Sequence, residues 1–117
     1  MKLFDSELKV MDVLWKRGDL TAKGISDILK EEISWNMNTT YTVIKKCVAK
    51  GAIQRIEPNF ICHALITKEE VQEEEVEELI GKMFDGSAAL LFSSMLERGK
   101  IPKEVLDKLN RMVKDSK

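Results

Sequence analysis

The stretch Asn36-Met37-Asn38-Thr39-Thr40-Tyr41-Thr42-Val43-Ile44-Lys45-Lys46-Cys47-Val48-Ala49-Lys50-Gly51 decides how the rest of the chain is read. Val43, Ile44, Cys47 and Val48 recur at the spacing of one apolar helix face. Asn38 or Thr39 can open that helix and Gly51 can close it. On the other side Thr39, Thr42 and Lys46 stand three to four residues apart, with Asn38, Tyr41 and Lys45 beside them. Small polar side chains on the leading turns of a helix reach base edges in the major groove, and flanking cations reach phosphates. The pattern therefore predicts a DNA-reading helix whose contacts are Asn38, Thr39, Tyr41, Thr42, Lys45 and Lys46. Taken alone, the lysines fit a solvated face and the Asn-Thr-Thr run fits a plain helix cap. Their place in the order of elements is what points to DNA.

Upstream lie two shorter helices. Asp5 or Ser6 can cap the first, whose Leu8, Val10, Met11, Val13, Leu14 and Trp15 cover one broad face before Gly18 ends it. Thr21 caps the second, from Ala22 to about Glu32, with Ile25, Ile28 and Leu29 inward. The link that follows is polar except for Trp35, which fits the gap between helices. Downstream, two runs rich in strand formers, Ala52 to Ile56 and Phe60 to Leu65, flank Glu57-Pro58-Asn59, a turn signal. Three helices followed by a hairpin is the order of a winged helix-turn-helix. Arg55 at the base of the wing is expected to meet the DNA backbone, with Asn59 nearby, whereas Glu57 at the tip would be repelled by phosphate.

From Thr67 the pattern is helical throughout. Thr67-x-x-Glu70 is a capping box for a fourth helix carrying Val76, Leu79, Ile80, Met83 and Phe84 as far as Gly86. Ser87 can cap a fifth, with Leu90, Leu91, Phe92, Met95 and Leu96, ending near Gly99. Pro102 fits the first turn of a sixth, striped by Val105, Leu106, Leu109, Met112 and Val113. The expected class is mostly α with a small β-hairpin: a winged-helix DNA-binding domain over 1–66 and a three-helix dimerisation arm over 67–117. Leu79, Ile80, Met83, Phe84, Leu91, Met95, Leu96, Leu109 and Met112 exceed what so short an arm can bury on itself. At roughly 1.5–3 kcal/mol for each large side chain buried, two interlocked arms are favoured. A homodimer also joins two weak half-site contacts into one useful affinity.

Composition bounds the alternatives. The 117 residues, 44% hydrophobic and 33% charged, can form a core and stay solvated. No stretch nears the roughly 20 apolar residues of a membrane span, and Met1 to Lys9 lacks a signal-peptide core, so a cytoplasmic protein without membrane insertion is expected. The net charge of -1 hides an asymmetry: residues 1–66 carry ten Lys/Arg against eight Asp/Glu, residues 67–117 nine against twelve. The run from Ile33 to Arg55 holds Lys45, Lys46, Lys50 and Arg55 and no acid, a local polyanion-facing surface. Cys47 and Cys62 form no CxxC pair, and Cys62 and His63, adjacent on a strand, point to opposite faces, so neither a metal nor another cofactor is expected. Buried thiols packing as small hydrophobes are the simpler reading. The lone His63 has no triad partners, and there is no Gly-rich phosphate loop; the acidic run Glu69 to Glu78 reads as a solvated helix face, and no enzyme is expected.

The phrase Glu7-Leu8-Lys9-Val10-Met11-Asp12-Val13-Leu14-Trp15, the opening Leu20-Thr21-Ala22-Lys23 and the run from Trp35 through Thr39 to Lys50-Gly51 and Arg55 together resemble the penicillinase-repressor family, the BlaI/MecI/CopY group of winged-helix regulators. The similarity runs on to Leu109. It implies a homodimer that represses resistance or stress genes from a palindromic operator, with Asn38, Thr39, Thr42 and Lys46 at DNA and Tyr41 at a variable position. Ser94-Met95 stands where some relatives carry the Asn-Phe bond at which they are cut, and no cysteine follows Cys62 where copper-sensing relatives have a cluster. The upstream sensor or protease is left open. So are two other readings, a winged helix serving protein interaction and a ligand- or metal-responsive regulator.

Overall fold

The computed structural model describes residues 1–105, 107, 108 and 111. The chain forms two compact units, Met1–Glu75 and Val76–Lys117. In the first, α1 (Asp5–Arg17), α2 (Ala22–Ile33) and α3 (Met37–Lys50) pack on a three-stranded antiparallel sheet of β1 (Leu20–Thr21), β2 (Ile53–Ile56) and β3 (Ile61–Ala64), in the order β1-β3-β2. This is a winged helix: three helices, then a hairpin, with a short strand between the first two helices.

The helix boundaries follow side-chain chemistry, in two places other than expected. Phe4, not Asp5 or Ser6, is the N-cap of α1, because Glu7 in the first turn reaches back and accepts from the Phe4 backbone N–H at 2.7 Å. Asn36, not Asn38 or Thr39, caps α3: its Oδ1 accepts from Thr39 N–H at 2.8 Å, so the helix starts two residues early. Thr21 caps α2 as expected, its Oγ1 accepting from Gly24 N–H at 3.0 Å. Gly51, at φ +83, turns the chain out of α3 in a conformation that glycine adopts without strain.

β1 was not foreseen. Two residues are too few to show a period, and Leu20 and Thr21 become a strand only by pairing with Cys62 and Ile61. The hairpin strands are each shorter than expected, Ile53–Ile56 rather than from Ala52, and Ile61–Ala64 rather than Phe60 to Leu65. Ile53 pairs with Ala64 and Ile56 with Ile61, leaving 57–60 as the turn. The core is drawn from all these elements: Val10, Met11, Ile25, Ile44, Cys47, Ile53 and Cys62 are essentially inaccessible. Trp35 packs half-buried against it. Trp15 donates from Nε1 to the Ile66 carbonyl at 3.0 Å, tying α1 to the segment that leads into α4.

α4 (Lys68–Met83) opens with Thr67 Oγ1 accepting from Glu70 N–H at 3.0 Å, and α5 (Ala88–Glu97) with Ser87 Oγ accepting from Leu90 N–H at 3.2 Å. α4 stops at Met83 instead of running on to Gly86, because Gly86 N–H turns back to the Ile80 carbonyl at 3.0 Å. Val71, on the opening turn of α4, is buried within the first unit, whereas no residue of α5 is buried. Residues 103–105 are helical; Leu109 and Met112, expected on a sixth helix, lie outside the described residues. Among the described residues no single helix is long and apolar enough to cross a membrane.

Candidate nucleic-acid interface

α3 is held by its apolar side and offers its polar side to solvent. Thr40, Val43, Ile44 and Cys47 are buried, while Asn38, Thr39, Thr42, Lys45 and Lys46 are exposed. Tyr41 lies at the edge of this face, half-buried. The N-terminal turn of α3 carries no acid, so the positive end of its dipole is unopposed beside the exposed Asn38 and Thr39. That end of a helix favours phosphate oxygens.

Hydrogen bonds within α3 fix what these side chains can offer. Thr42 Oγ1 donates to the Asn38 carbonyl at 2.8 Å, which uses its only hydroxyl hydrogen. What it turns outward is an acceptor oxygen and a methyl group, matched to the amino group of adenine or cytosine and to the thymine methyl. Asn36 is occupied in capping, and Thr40 Oγ1 donates back to the Asn36 carbonyl at 3.3 Å. Asn38, Lys45 and Lys46 are exposed and can reach outward.

The four cations of the acid-free run divide into two kinds. Lys45 and Lys46 are exposed on α3. Lys50 is committed inward: its Nζ lies 2.6 Å from Glu7 Oε1, 3.0 Å from the Lys2 carbonyl and 4.4 Å from the centre of the Phe4 ring. Glu7 is 1% exposed, and its Oε2 is buried with no hydrogen-bond partner. Burial alone would raise the Glu7 carboxyl. The Lys50 and Phe4 hydrogen bonds and the charges of Lys50 and Lys46 outweigh it and hold that carboxyl below its ordinary pKa. Arg55 is engaged within the wing: Nε donates to Glu57, and the guanidinium carbon sits 3.6 Å from the centre of the Phe60 ring. The Phe60 ring in turn meets Tyr41 edge-on, centroids 6.0 Å apart at 85°.

Cys47, Cys62 and His63 divide into two core thiols and one surface imidazole. Cys47 and Cys62 are both buried; burial pushes the Cys47 thiol up to about 12, with the Glu7 charge adding to it, and the Cys62 thiol up to about 11. Both are neutral thiols at physiological pH, inert as nucleophiles and poor as ligands. His63 points away from Cys62 to the surface, its Nδ1 2.8 Å from Asp19 Oδ1. Among the described residues no group of three His, Cys, Asp or Glu side chains could hold a metal ion.

Sequence reasoning passed over Glu7, the ring contacts of Phe60 and the capping role of Asn36, and it counted Lys50 with the polyanion-facing cations, whereas Lys50 is bound to Glu7. Glu7 left a signal: with Val10, Met11 and Leu14 it recurs at i, i+3, i+4 and i+7, a carboxylate on an inward stripe. The stacking of Arg55 on Phe60 left none, since it depends on how the turn folds back.

The penicillinase repressor family model matches residues 3–115. The chain belongs to the penicillinase repressor family. That family consists of transcriptional repressors and not of enzymes. The chain is similar to the methicillin resistance regulatory protein MecI of Staphylococcus aureus strain N315 and of Staphylococcus epidermidis, 20% identical to each over 114 residues, 96% of this chain and 93% of the relative. Its fold matches the solution structure of the DNA-binding domain of the repressor BlaI with a TM-score of 0.55, at 24% identity, over 59% of this chain and 87% of that domain. The winged-helix assignment thus rests on coordinates as well as on sequence pattern.

Proposed function

We propose that this member of the repressor family works in the cytoplasm as a homodimer on a palindromic operator, controlling genes of resistance or stress. Each protomer lays α3 in a major groove. Thr39 and Thr42 read base edges with Asn38, Tyr41 extends that surface towards the wing, and Lys45, Lys46 and Arg55 contact phosphates. Repression follows from occupying the operator and excluding polymerase. The observation that carries this reading is the outward face of α3, polar and free of acids, on which Asn38, Thr39, Thr42, Lys45 and Lys46 are exposed and Tyr41 is half-buried.

Dimerisation through the second unit is supported by apolar side chains left in solvent there. Leu79, Met83, Leu90, Phe92, Met95 and Leu96 are between 38% and 70% exposed, and Ile80, Phe84 and Leu91 only partly covered. A soluble protein rarely leaves so much apolar surface bare unless it is an interface. Leu109 and Met112 are assigned to the same surface on sequence pattern.

The experiment is selection of bound duplexes from a random DNA pool by the purified protein. Enrichment of an inverted repeat, with half-sites about one helical turn or a multiple apart, is the expected result. On that duplex Lys46→Ala lowers the salt slope of binding by about one unit, and Thr39→Ala relaxes sequence preference. A pool that emerges unenriched overturns the proposal.

A further inference from the structure

The wing holds a single Lys or Arg, Arg55, and that cation sits beside an acid, Glu57. An exposed pair of this kind is weakly held, and on its own it would leave the wing electrically neutral and Arg55 without a fixed direction. Phe60 supplies the direction. Its ring lies 3.6 Å from the guanidinium carbon, a contact that holds the group against the ring while its N–H groups, which lie in its own plane, remain able to donate. Among the described residues Glu57 accepts from Arg55 through Nε alone, which leaves the N–H groups of both Nη atoms to donate elsewhere. The opposite anchor of Phe60 is Tyr41 on α3, met edge-on at 6.0 Å. Phe60 stands at φ +51, a conformation bulky residues rarely adopt, and Asn59 before it at φ +75. The turn accepts that strained backbone where the ring reaches both neighbours.

We propose that Phe60 is a positioning residue: clamped between Tyr41 of the recognition helix and Arg55 of the wing, it aims the Arg55 guanidinium at a DNA phosphate and fixes the wing relative to α3. This rests on the DNA-binding reading above and adds to it a coupling between the two elements that approach the duplex. Glu57 is then not simply a repulsive charge at the tip. It takes one N–H of Arg55 and leaves the outer edge of the guanidinium for a two-pronged contact with phosphate oxygens.

The test measures the dependence of affinity on salt, using a fluorescent duplex selected by the protein itself and full-length variants. Arg55→Ala, Phe60→Leu and Arg55→Lys each lower the slope by about one unit, the signature of one lost phosphate contact. Arg55→Lys belongs in this set because lysine keeps the charge but has no plane to stack. Phe60→Tyr, which keeps the ring, retains the wild-type slope. The double variant Phe60→Leu/Arg55→Ala loses no more than either single one. A wild-type slope in Phe60→Leu or Arg55→Lys, or a double variant that loses about two units, overturns the proposal. Should Phe60→Leu melt without cooperativity, Arg55→Lys at its exposed site decides alone. Lys46→Ala separates the two levels. If it weakens binding while Phe60→Leu does not, only the positioning role falls; if the wild-type protein binds no duplex, both readings fall.

Discussion

Glu7 shows how one buried side chain can govern a recognition element it never touches DNA with. It joins the start of α1 to Lys50 at the end of α3, accepting from Phe4 N–H and from Lys50 Nζ. Glu7 is buried and Lys50 only partly so, and losing a hydrogen bond to a charged group costs about 2 kcal/mol, so Glu7→Gln is expected to cost that much, read as a lower urea midpoint at unchanged slope. The acid limb carries the same signature. A carboxyl held below its ordinary value stabilises the fold above pH 4.5, and that contribution is lost as pH falls through the lowered value. Glu7→Gln should therefore flatten the decline of stability below that pH, and an unchanged acid limb would show that Glu7 is not ionised in the fold. The thiols act in the opposite direction. Cys47 and Cys62 are raised to about 12 and about 11, so the fold keeps its protons where the unfolded chain gives them up. Stability is present below pH 9 and falls as pH climbs towards those values. Cys47→Ala, less stable at neutral pH for its lost volume, should show a shallower alkaline decline by thermal melting.

At the scale of elements, α3 is set by its two ends. Asn36 fixes the start, and Gly51 with Lys50 fixes the finish. Asn36→Ala removes the acceptor for Thr39 N–H and is expected to destabilise the protein by about 1 kcal/mol. The loss falls on the turn that carries Asn38 and Thr39. Amide exchange at Thr39 should accelerate more than at Ile44, and equal acceleration at both would argue against a local effect. Helical periodicity made α1, α2 and α3 legible from the sequence, because each shows a full apolar stripe. The capping residues were less legible. Asp5, Ser6, Asn38 and Thr39 are all competent caps by type, and the choice fell to Phe4 and Asn36 through bonds made by Glu7 and by Asn36 itself. β1 shows the same limit: Leu20 and Thr21 are a strand only because Cys62 and Ile61 lie opposite.

For the whole molecule, the contrast between the units matters most. Met1–Glu75 has a closed core, whereas the described part of Val76–Lys117 leaves its large apolar residues open. If those residues form the dimer surface, Leu96→Asp places a charge in it and should yield a monomer in sedimentation while the first unit keeps its fold. Binding to a single half-site should then persist at weak affinity, and binding to the full inverted repeat should fall at least tenfold, as two joined contacts become one. A Leu96→Asp protein that still sediments as a dimer would move the interface elsewhere.

The sequence by itself determined the winged helix, the polar outward face of α3 and the apolar stripes of the second half, because periodicity and turn chemistry are local properties carried by residue type. Tertiary structure alone decided which cations are spoken for. Lys50 is tied to Glu7 and Arg55 is stacked on Phe60, while Lys45 and Lys46 stay exposed. All four look alike in an acid-free run, and only the folding of distant segments onto them gives each a different partner, since the energy of a charge depends on what surrounds it in space and not on its neighbours along the chain.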